Sequence, residues 1–347
     1  MKAIVLREFG GPDALRLEEV PTPTPAPDEV LVQVHSVSVN RTLDLKVRQG
    51  KYRSNIKFPL VLGVDPSGVV VEAGSDVNQS RIGDRVAIFS SIRCSTCSFC
   101  KAGEEDVCSY TTLIGLDRWG GYAEYVAVPA GNTTLIPPRL SFAEATVITR
   151  HVPTAFNLLE NKAYLKAGEW VLVMGAAGGL GSSGVQVGKF LGAKVIAGAG
   201  SDERVAAALS YGADFSINYR QQDLEQEVMR ITKSRGVDVV FENIADPTLW
   251  PGSFNSLAHA GRMVTAGAHG GGKVTLNVQQ LYLRRLRIIG APGSLFRDVG
   301  RSLEAAASGK IRAGIDRVMP LREAATAHRL IEENQTLGKI ILDPTLD

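Results

Sequence analysis

Trp170-Val-Leu-Val-Met-Gly175-Ala-Ala-Gly178-Gly-Leu-Gly181-Ser-Ser-Gly-Val-Gln-Val-Gly-Lys-Phe-Leu191 decides how this chain folds. An apolar run ends in a glycine-rich turn, which opens into a segment whose apolar residues recur at helical spacing. Strand, tight loop and helix in that order form the first half of a βαβ unit. Glycine permits the turn, lets backbone approach a phosphate, and lets the helix pack closely on the strand. The helix N-terminus then offers free N–H groups and the positive end of its dipole to an anion. Ala177, Gly178, Gly179, Leu180 and Gly181 are therefore candidate residues for the pyrophosphate of a dinucleotide. Ala176 stands where the first glycine of G-x-G-x-x-G is usual, which weakens the bare motif, and a ligand-free turn is the competing reading.

The same alternation continues on both sides of this stretch. Helix Phe142 to Leu159 precedes the stretch. It is followed by strand Lys194 to Gly198, helix Glu203 to Tyr211, strand Phe215 to Asn218, helix Asp223 to Thr232 and strand Val237 to Glu242. Helices between strands at this spacing predict a doubly wound parallel sheet over residues 141–295. Before it, apolar segments Ala3 to Leu6, Glu29 to Val39, Gly68 to Ala73, Arg85 to Phe89 and Tyr122 to Val128 are short and separated by Pro and Gly, so residues 1–140 read as a β-barrel or sandwich. The C-terminal segment is set at residues 296–347, and within it Arg301 to Asp347 offers one helix (Leu321 to Asn334) and one strand (Lys339 to Leu342). That is too little for a core, so it is expected to pack on the first domain. A length of 347 residues suits two domains.

Hydrophobic content of 44%, charged content of 21% and a net charge of +2 describe a soluble globular chain with no electrostatic case for a nucleic-acid or membrane partner. No segment approaches the roughly 20 apolar residues of a membrane span, and the start, Met1 to Gly11, lacks a signal-peptide core.

The tip of the second strand bears on the choice of cofactor. An NAD site usually places a carboxylate there for the ribose 2′-OH. Here the strand runs into Ala199-Gly200-Ser201, and Ser201 and Arg204 can donate to a 2′-phosphate. NADPH is the expected cofactor; Asp202 facing the ribose would instead favour NADH. Asn243, just past the strand ending at Glu242, is placed in the cofactor site as well.

All four cysteines fall between residues 94 and 108, as Cys94, Cys97, Cys100 and Cys108. Four thiolates on one short loop saturate a Zn2+ at Zn–S distances of about 2.3 Å and leave no open position for substrate. One structural zinc per chain is the leading reading, with an iron–sulfur cluster, or free or disulfide-bonded cysteines, as alternatives. Thiols that must stay reduced suit the cytoplasm.

With the cysteine lobe, Gly83-Asp-Arg-Val86 and the dinucleotide loop in place, the chain resembles the medium-chain dehydrogenase/reductase superfamily over nearly its whole length. The resemblance implies a GroES-like β-barrel catalytic domain completed by the C-terminal tail, a Rossmann cofactor domain, and a homodimer or homotetramer joined near Leu286 to Gly290. Alcohol dehydrogenases of the family hold a catalytic zinc at three positions, which here carry Asn40, Val64 (in Gly63-Val64-Asp65) and Arg150. Valine cannot ligate and guanidinium repels a metal, so a catalytic zinc is not expected. His35 and His151 remain as unconventional ligands.

The runs Val39-Asn-Arg-Thr-Leu-Asp44 and Arg48-Gln-Gly-Lys-Tyr52 look instead like the quinone oxidoreductase and enoyl reductase branch, although many of its quinone reductases lack the cysteine lobe. In that branch a threonine placed like Thr154 faces the nicotinamide. The resemblance thus implies NADPH-dependent hydride transfer to a small molecule, a quinone or activated alkene (enone or 2-enoyl thioester), with no catalytic metal. Asn40, Tyr52, Asp65 and Arg150 are the candidate catalytic residues. Tyr52 would donate a proton or hydrogen bond, Asn40 would orient nicotinamide or substrate, and Asp65 could hold local backbone. Arg150 would stabilise enolate charge or pair with Asp65 or Asp44. A zinc-type alcohol or aldehyde dehydrogenase and a catalytically silent NADPH-binding protein are the competing readings.

Overall fold

The computed structural model describes residues 1–52 and 55–346. The chain divides into two compact units: Met1–Arg150 with Val299–Ala307 and Ala313–Asp347, and His151–Asp298 with Ser308–Arg312. The division follows Arg150, not residue 140, because the start of helix Phe142–Phe156 is tied to the first unit. There Ser67 Oγ donates to the Phe142 carbonyl at 2.9 Å and lies 2.8 Å from Thr146 Oγ1.

In the second unit six strands run parallel in the order Phe215–Asn218, Lys194–Ala199, Trp170–Met174, Val237–Glu242, Leu257–Thr265, Arg287–Gly290. Strand order therefore reverses between Trp170–Met174 and Val237–Glu242, and ligands of such sheets bind beyond the carboxyl ends of the strands at that point. Both ends carry predicted residues: the glycine loop follows the first and Asn243 the second. Leu172, Met174, Ile196, Val240, Phe254 and Met263 are buried in one apolar cluster, as continuous Val/Ile/Leu runs in a covered parallel sheet require.

The first unit is the expected β domain. Its main sheet is centred on Glu29–Ser38, which pairs antiparallel with Ser67–Ala73 and Tyr125–Pro129. Strand Lys339–Asp343 also pairs with it, Ile341 opposite Ser38 and Leu342 opposite Val37. The tail thus enters the sheet of the first unit, bringing strand Ile315–Pro320 alongside in parallel. The predicted helix Leu321 to Asn334 is a short 3-10 turn, Leu321–Glu323, followed by helix Ala324–Glu332. Helix Phe142–Phe156 contains Pro153 and continues as a wider π turn, Asn157–Lys162.

Candidate functional site

The glycine loop is shaped by contacts that only glycine allows. Gly175 has φ +65°, and a Cβ on Gly181 would lie 2.1 Å from the Gly175 carbonyl oxygen. Ala176, at the weakened motif position, is buried and sends its N–H to the Gly198 carbonyl at 3.0 Å, joining the ends of the first two strands. Helix Gly179–Phe190 starts from the Gly178 N-cap with no side-chain cap, so its first N–H groups are left for a ligand. Asn243 is buried, and neither atom of its amide has a hydrogen-bond partner. A buried orphaned amide beside an open helix N-terminus at the switch point fits a bound dinucleotide, because burial without a partner costs about 1–3 kcal/mol. Thr154 is buried in helix Phe142–Phe156 of the same unit.

At the second strand's tip, Ser201 caps helix Asp202–Ser210, its Oγ accepting from the Arg204 N–H at 3.3 Å. Asp202 turns to the neighbouring strand, where its carboxylate accepts from Asn218 Nδ2 at 2.7 Å and from Gln221 Nε2 at 3.4 Å. Tyr219, which the sequence did not single out, closes over Gly200: a Cβ there would lie 3.0 Å from the Tyr219 hydroxyl oxygen. Burial raises that hydroxyl's pKa, against the charges of Arg204 and Arg220. The tip is basic and aromatic, and the Asp202 carboxylate is engaged by the neighbouring strand.

Three of the four predicted catalytic residues meet in the first unit. Asn40 Nδ2 donates to the Ser38 carbonyl and to Asp65 Oδ2, each at 3.2 Å, and Asn40 Oδ1 accepts from Arg150 Nε at 3.3 Å. Asp65 is also bound by the Ser38 N–H at 3.0 Å and by the Ser38 hydroxyl. Arg150 therefore meets Asn40, not Asp65 or Asp44 as the ion-pair reading expected. Lys339, buried on the returning strand, donates to Asn40 Oδ1 at 2.7 Å and to the Val39 carbonyl at 2.9 Å.

Asp44 enters through a π turn, Arg41–Lys46, in which the N–H groups of Asp44 and Leu45 both reach the Asn40 carbonyl. That wider turn returns the Asp44 carboxylate to the Asn40 N–H at 2.7 Å, with the Gly63 N–H on its other oxygen at 3.2 Å. Burial pushes the Asp44 carboxyl up to about 7, helped by the charge of Asp65 and opposed by the two N–H groups and Lys339. Burial pushes the Lys339 ammonium down to about 8, with Arg150 adding to the effect and Asp65 and Asp44 opposing it. Tyr122, buried beside Asp44 and 3.2 Å from His328 Nε2, has its hydroxyl pKa raised by burial and by the two carboxylates.

Tyr52 differs from this buried group in being 41% exposed. The motif leading to it, Arg48-Gln49-Gly50, is an anchor: both Arg48 and Gln49 bind the Glu332 carboxylate at the end of helix Ala324–Glu332. His35 stacks on Phe142 with ring centroids 4.5 Å apart.

The sulfurs of Cys94, Cys97, Cys100 and Cys108 all lie within 4.8 Å of one another. Two separations are 3.9 Å (Cys94 to Cys100) and 3.5 Å (Cys94 to Cys108), against the about 3.8 Å that a tetrahedron with 2.3 Å Zn–S bonds requires. N–H groups of Cys97 and Thr96 hold the Cys94 thiol down to about 6, whereas burial and the neighbouring cysteines push Cys100 up to about 12. Four thiolates there need a cation.

Residues 26–138 match the alcohol dehydrogenase GroES-like domain family, and residues 179–308 match the zinc-binding dehydrogenase family. The chain is 34% identical to the NAD-dependent alcohol dehydrogenase of Sulfolobus acidocaldarius, covering 99% of this chain and 100% of that one. It is 31% identical to the quinone oxidoreductase of Rattus norvegicus, covering 99% and 97%. A crystal structure of an NAD-dependent alcohol dehydrogenase superposes with a TM-score of 0.92 at 35% identity, covering 99% of both chains. The chain belongs to the medium-chain dehydrogenase/reductase superfamily. It is an oxidoreductase of that superfamily, with the expected GroES-like and Rossmann folds.

Asn40, Val64 and Arg150 are the residues that the resemblance sets at the positions of a catalytic zinc. Asn40 is saturated by protein partners, Val64 is fully buried, and Arg150 brings a positive charge. This donor set does not fit a metal. Sequence reasoning missed Lys339 and Ser38 as members of the group. The spacing of Ser38, Asn40 and Asp44 around a strand end was the one available signal for the latter.

Proposed function

We propose that this chain is an NADPH-dependent reductase of quinones or activated alkenes, enones or 2-enoyl thioesters, that uses no catalytic metal. The observation that carries the reading is the saturated Asn40 with a cation, Arg150, beside it where the family's alcohol dehydrogenases bind zinc. Bound NADPH supplies a hydride from its nicotinamide. Ala177 to Gly181 and Asn243 hold its phosphates and ribose, Thr154 faces the nicotinamide, and Ser201 and Arg204 take the 2′-phosphate. Engagement of Asp202 by Asn218 favours NADPH over NADH. Arg150 and Tyr52 orient and polarise the substrate's oxygen, while Asp65 fixes Asn40, which in turn positions Arg150. A ketone without a Lewis acid is the harder substrate, because conjugation in a quinone or enone spreads the developing charge to an oxygen that hydrogen bonds can hold. The four cysteines would hold one structural zinc, and their reduced state suits the cytoplasm.

The test is a panel of quinones, enones and enoyl thioesters with NADPH and NADH, run beside secondary alcohols with NAD+, together with total zinc per chain. NADPH-driven turnover with one zinc supports the reading. Alcohol oxidation with two zincs per chain would establish the reading that the alcohol dehydrogenase relatives favour. Cofactor binding without turnover would leave a silent binding protein.

A further inference from the structure

This inference rests on the reductase reading, in which the substrate oxygen takes up negative charge as hydride arrives. We propose that Arg150 is the group that meets this charge, and that the Asn40 carboxamide is a spacer that, with Lys339, keeps the Arg150 charge from being neutralised. The amide turns its oxygen toward both cations, Lys339 Nζ at 2.7 Å and Arg150 Nε at 3.3 Å, and its nitrogen toward Asp65 Oδ2 at 3.2 Å. Asp65 is occupied by the Ser38 N–H and hydroxyl and by the Asn40 amide nitrogen, and makes no direct ion pair with either cation. No ion pair among the described residues includes Arg150 or Lys339. The Arg150 terminal nitrogens have no protein hydrogen-bond partner among the described residues.

A buried ammonium held only by two neutral oxygens is an unfavourable arrangement for stability alone, since direct pairing with a carboxylate would relieve it. The same arrangement suits catalysis, because a positive field fixed before reaction stabilises negative charge as it develops. During reduction an enone or enoyl thioester receives the hydride from NADPH at its β carbon. Its C=C electron pair passes to the carbonyl oxygen as an enolate, which the Arg150 Nη groups hold. A proton from water then adds at the α carbon, so the substrate gains one hydride and one proton. Asp65, Asp44 and Arg150 are the charged groups that act on Lys339, and the downward shift of its ammonium agrees with an unpaired site.

The variants Arg150→Met, Lys339→Met, Lys339→Arg and Asn40→Asp test this. Each is assayed for kcat and KM with 1,4-naphthoquinone and trans-2-octenoyl N-acetylcysteamine thioester, for NADPH Kd by fluorescence, and for thermal unfolding from pH 7 to 10. Arg150→Met, Lys339→Met and Asn40→Asp are expected to lower kcat about 100-fold or more, as loss of one oxyanion donor does, with NADPH Kd changed less than about threefold. Lys339→Arg should restore at least about a tenth of the wild-type kcat, because the charge returns to Asn40 Oδ1. Asn40→Asp pairs directly with both cations, so the rise in stability expected of wild type above pH 8, where the lowered Lys339 ammonium titrates, should disappear. Asn40→Asp with kcat within twofold of wild type overturns the spacer role. So does Lys339→Met that keeps kcat but weakens NADPH about tenfold, which would make Lys339 a cofactor ligand. If wild type reduces neither probe, the reductase reading falls. The spacer is then judged on the pH arm, where coincident profiles for wild type and Asn40→Asp overturn it and a lost rise sustains it.

Discussion

Asp44 shares a buried site with Asp65 and is driven toward its neutral form, first by burial and then by the Asp65 charge. Its folded pKa, about 7, lies above the ordinary 3.8, so its contribution to stability is fully present below about pH 4 and is lost as pH rises through 7. Asp44→Asn keeps the shape but removes the titration. Thermal unfolding at pH 5 and pH 8 should show the variant gaining on wild type as pH rises; parallel loss at both values would contradict the shift. At the cofactor tip, Arg204→Ala should raise the Kd for NADPH about tenfold or more while leaving that for NADH within about twofold, since a hydrogen bond to a charged group is worth about 1.5–3 kcal/mol. Equal weakening of both would move Arg204 out of the 2′-phosphate site. The sequence exposed Asn40, Asp65 and Arg150 because each occupies a recognisable position near a motif. Lys339 was not legible: it lies 299 residues from Asn40, and only strand pairing brings the two together. Asp44 was half legible, because nothing in Arg41-Thr-Leu-Asp44 announces the π turn that points its carboxylate back at Asn40.

Among elements, the parallel strands were readable because burial on both faces demands continuous apolar runs, as in Val171 to Met174 and Val239 to Phe241. Strands of two residues, Leu60–Val61, Ser91–Ile92 and Thr112–Leu113, carry no period to detect. Strand Ile315–Pro320 was missed because Asp316 and Arg317 interrupt its apolar pattern. The cysteine lobe was legible from spacing alone, since thiol geometry leaves little choice. It has little other structure, one short helix Ser98–Lys101 and a 3-10 turn Glu105–Val107, so a bound metal would supply much of its rigidity. Chelation of zinc, or Cys97→Ser, should lower the unfolding temperature and open the lobe to proteolysis around Lys101, with NADPH affinity unchanged within about twofold. An unaltered melting curve after complete metal removal would rule out a structural zinc.

For the whole molecule, the expected assembly is a homodimer or homotetramer through the sheet edge at Arg287–Gly290, so light scattering should give about twice or four times the 37.1 kDa chain. A monomer at micromolar concentration would leave that edge strand without the expected partner. The two-unit division was legible in the change from Pro- and Gly-punctuated strands to alternating helix and strand. Its position after Arg150 was not, because it depends on Ser67 and Thr146 holding the start of one continuous helix. The route of the chain has a consequence for its synthesis. Strand Lys339–Asp343 is the neighbour of Glu29–Ser38, whereas the dinucleotide loop and its sheet are complete by Gly290. A ribosome releases the cofactor sheet before the tail, and the ammonium that completes the polar group around Asn40 emerges only some 50 residues after Gly290. Products of premature termination in that interval would retain the glycine loop and sheet but lack Lys339, making them candidates to sequester cofactor without consuming it.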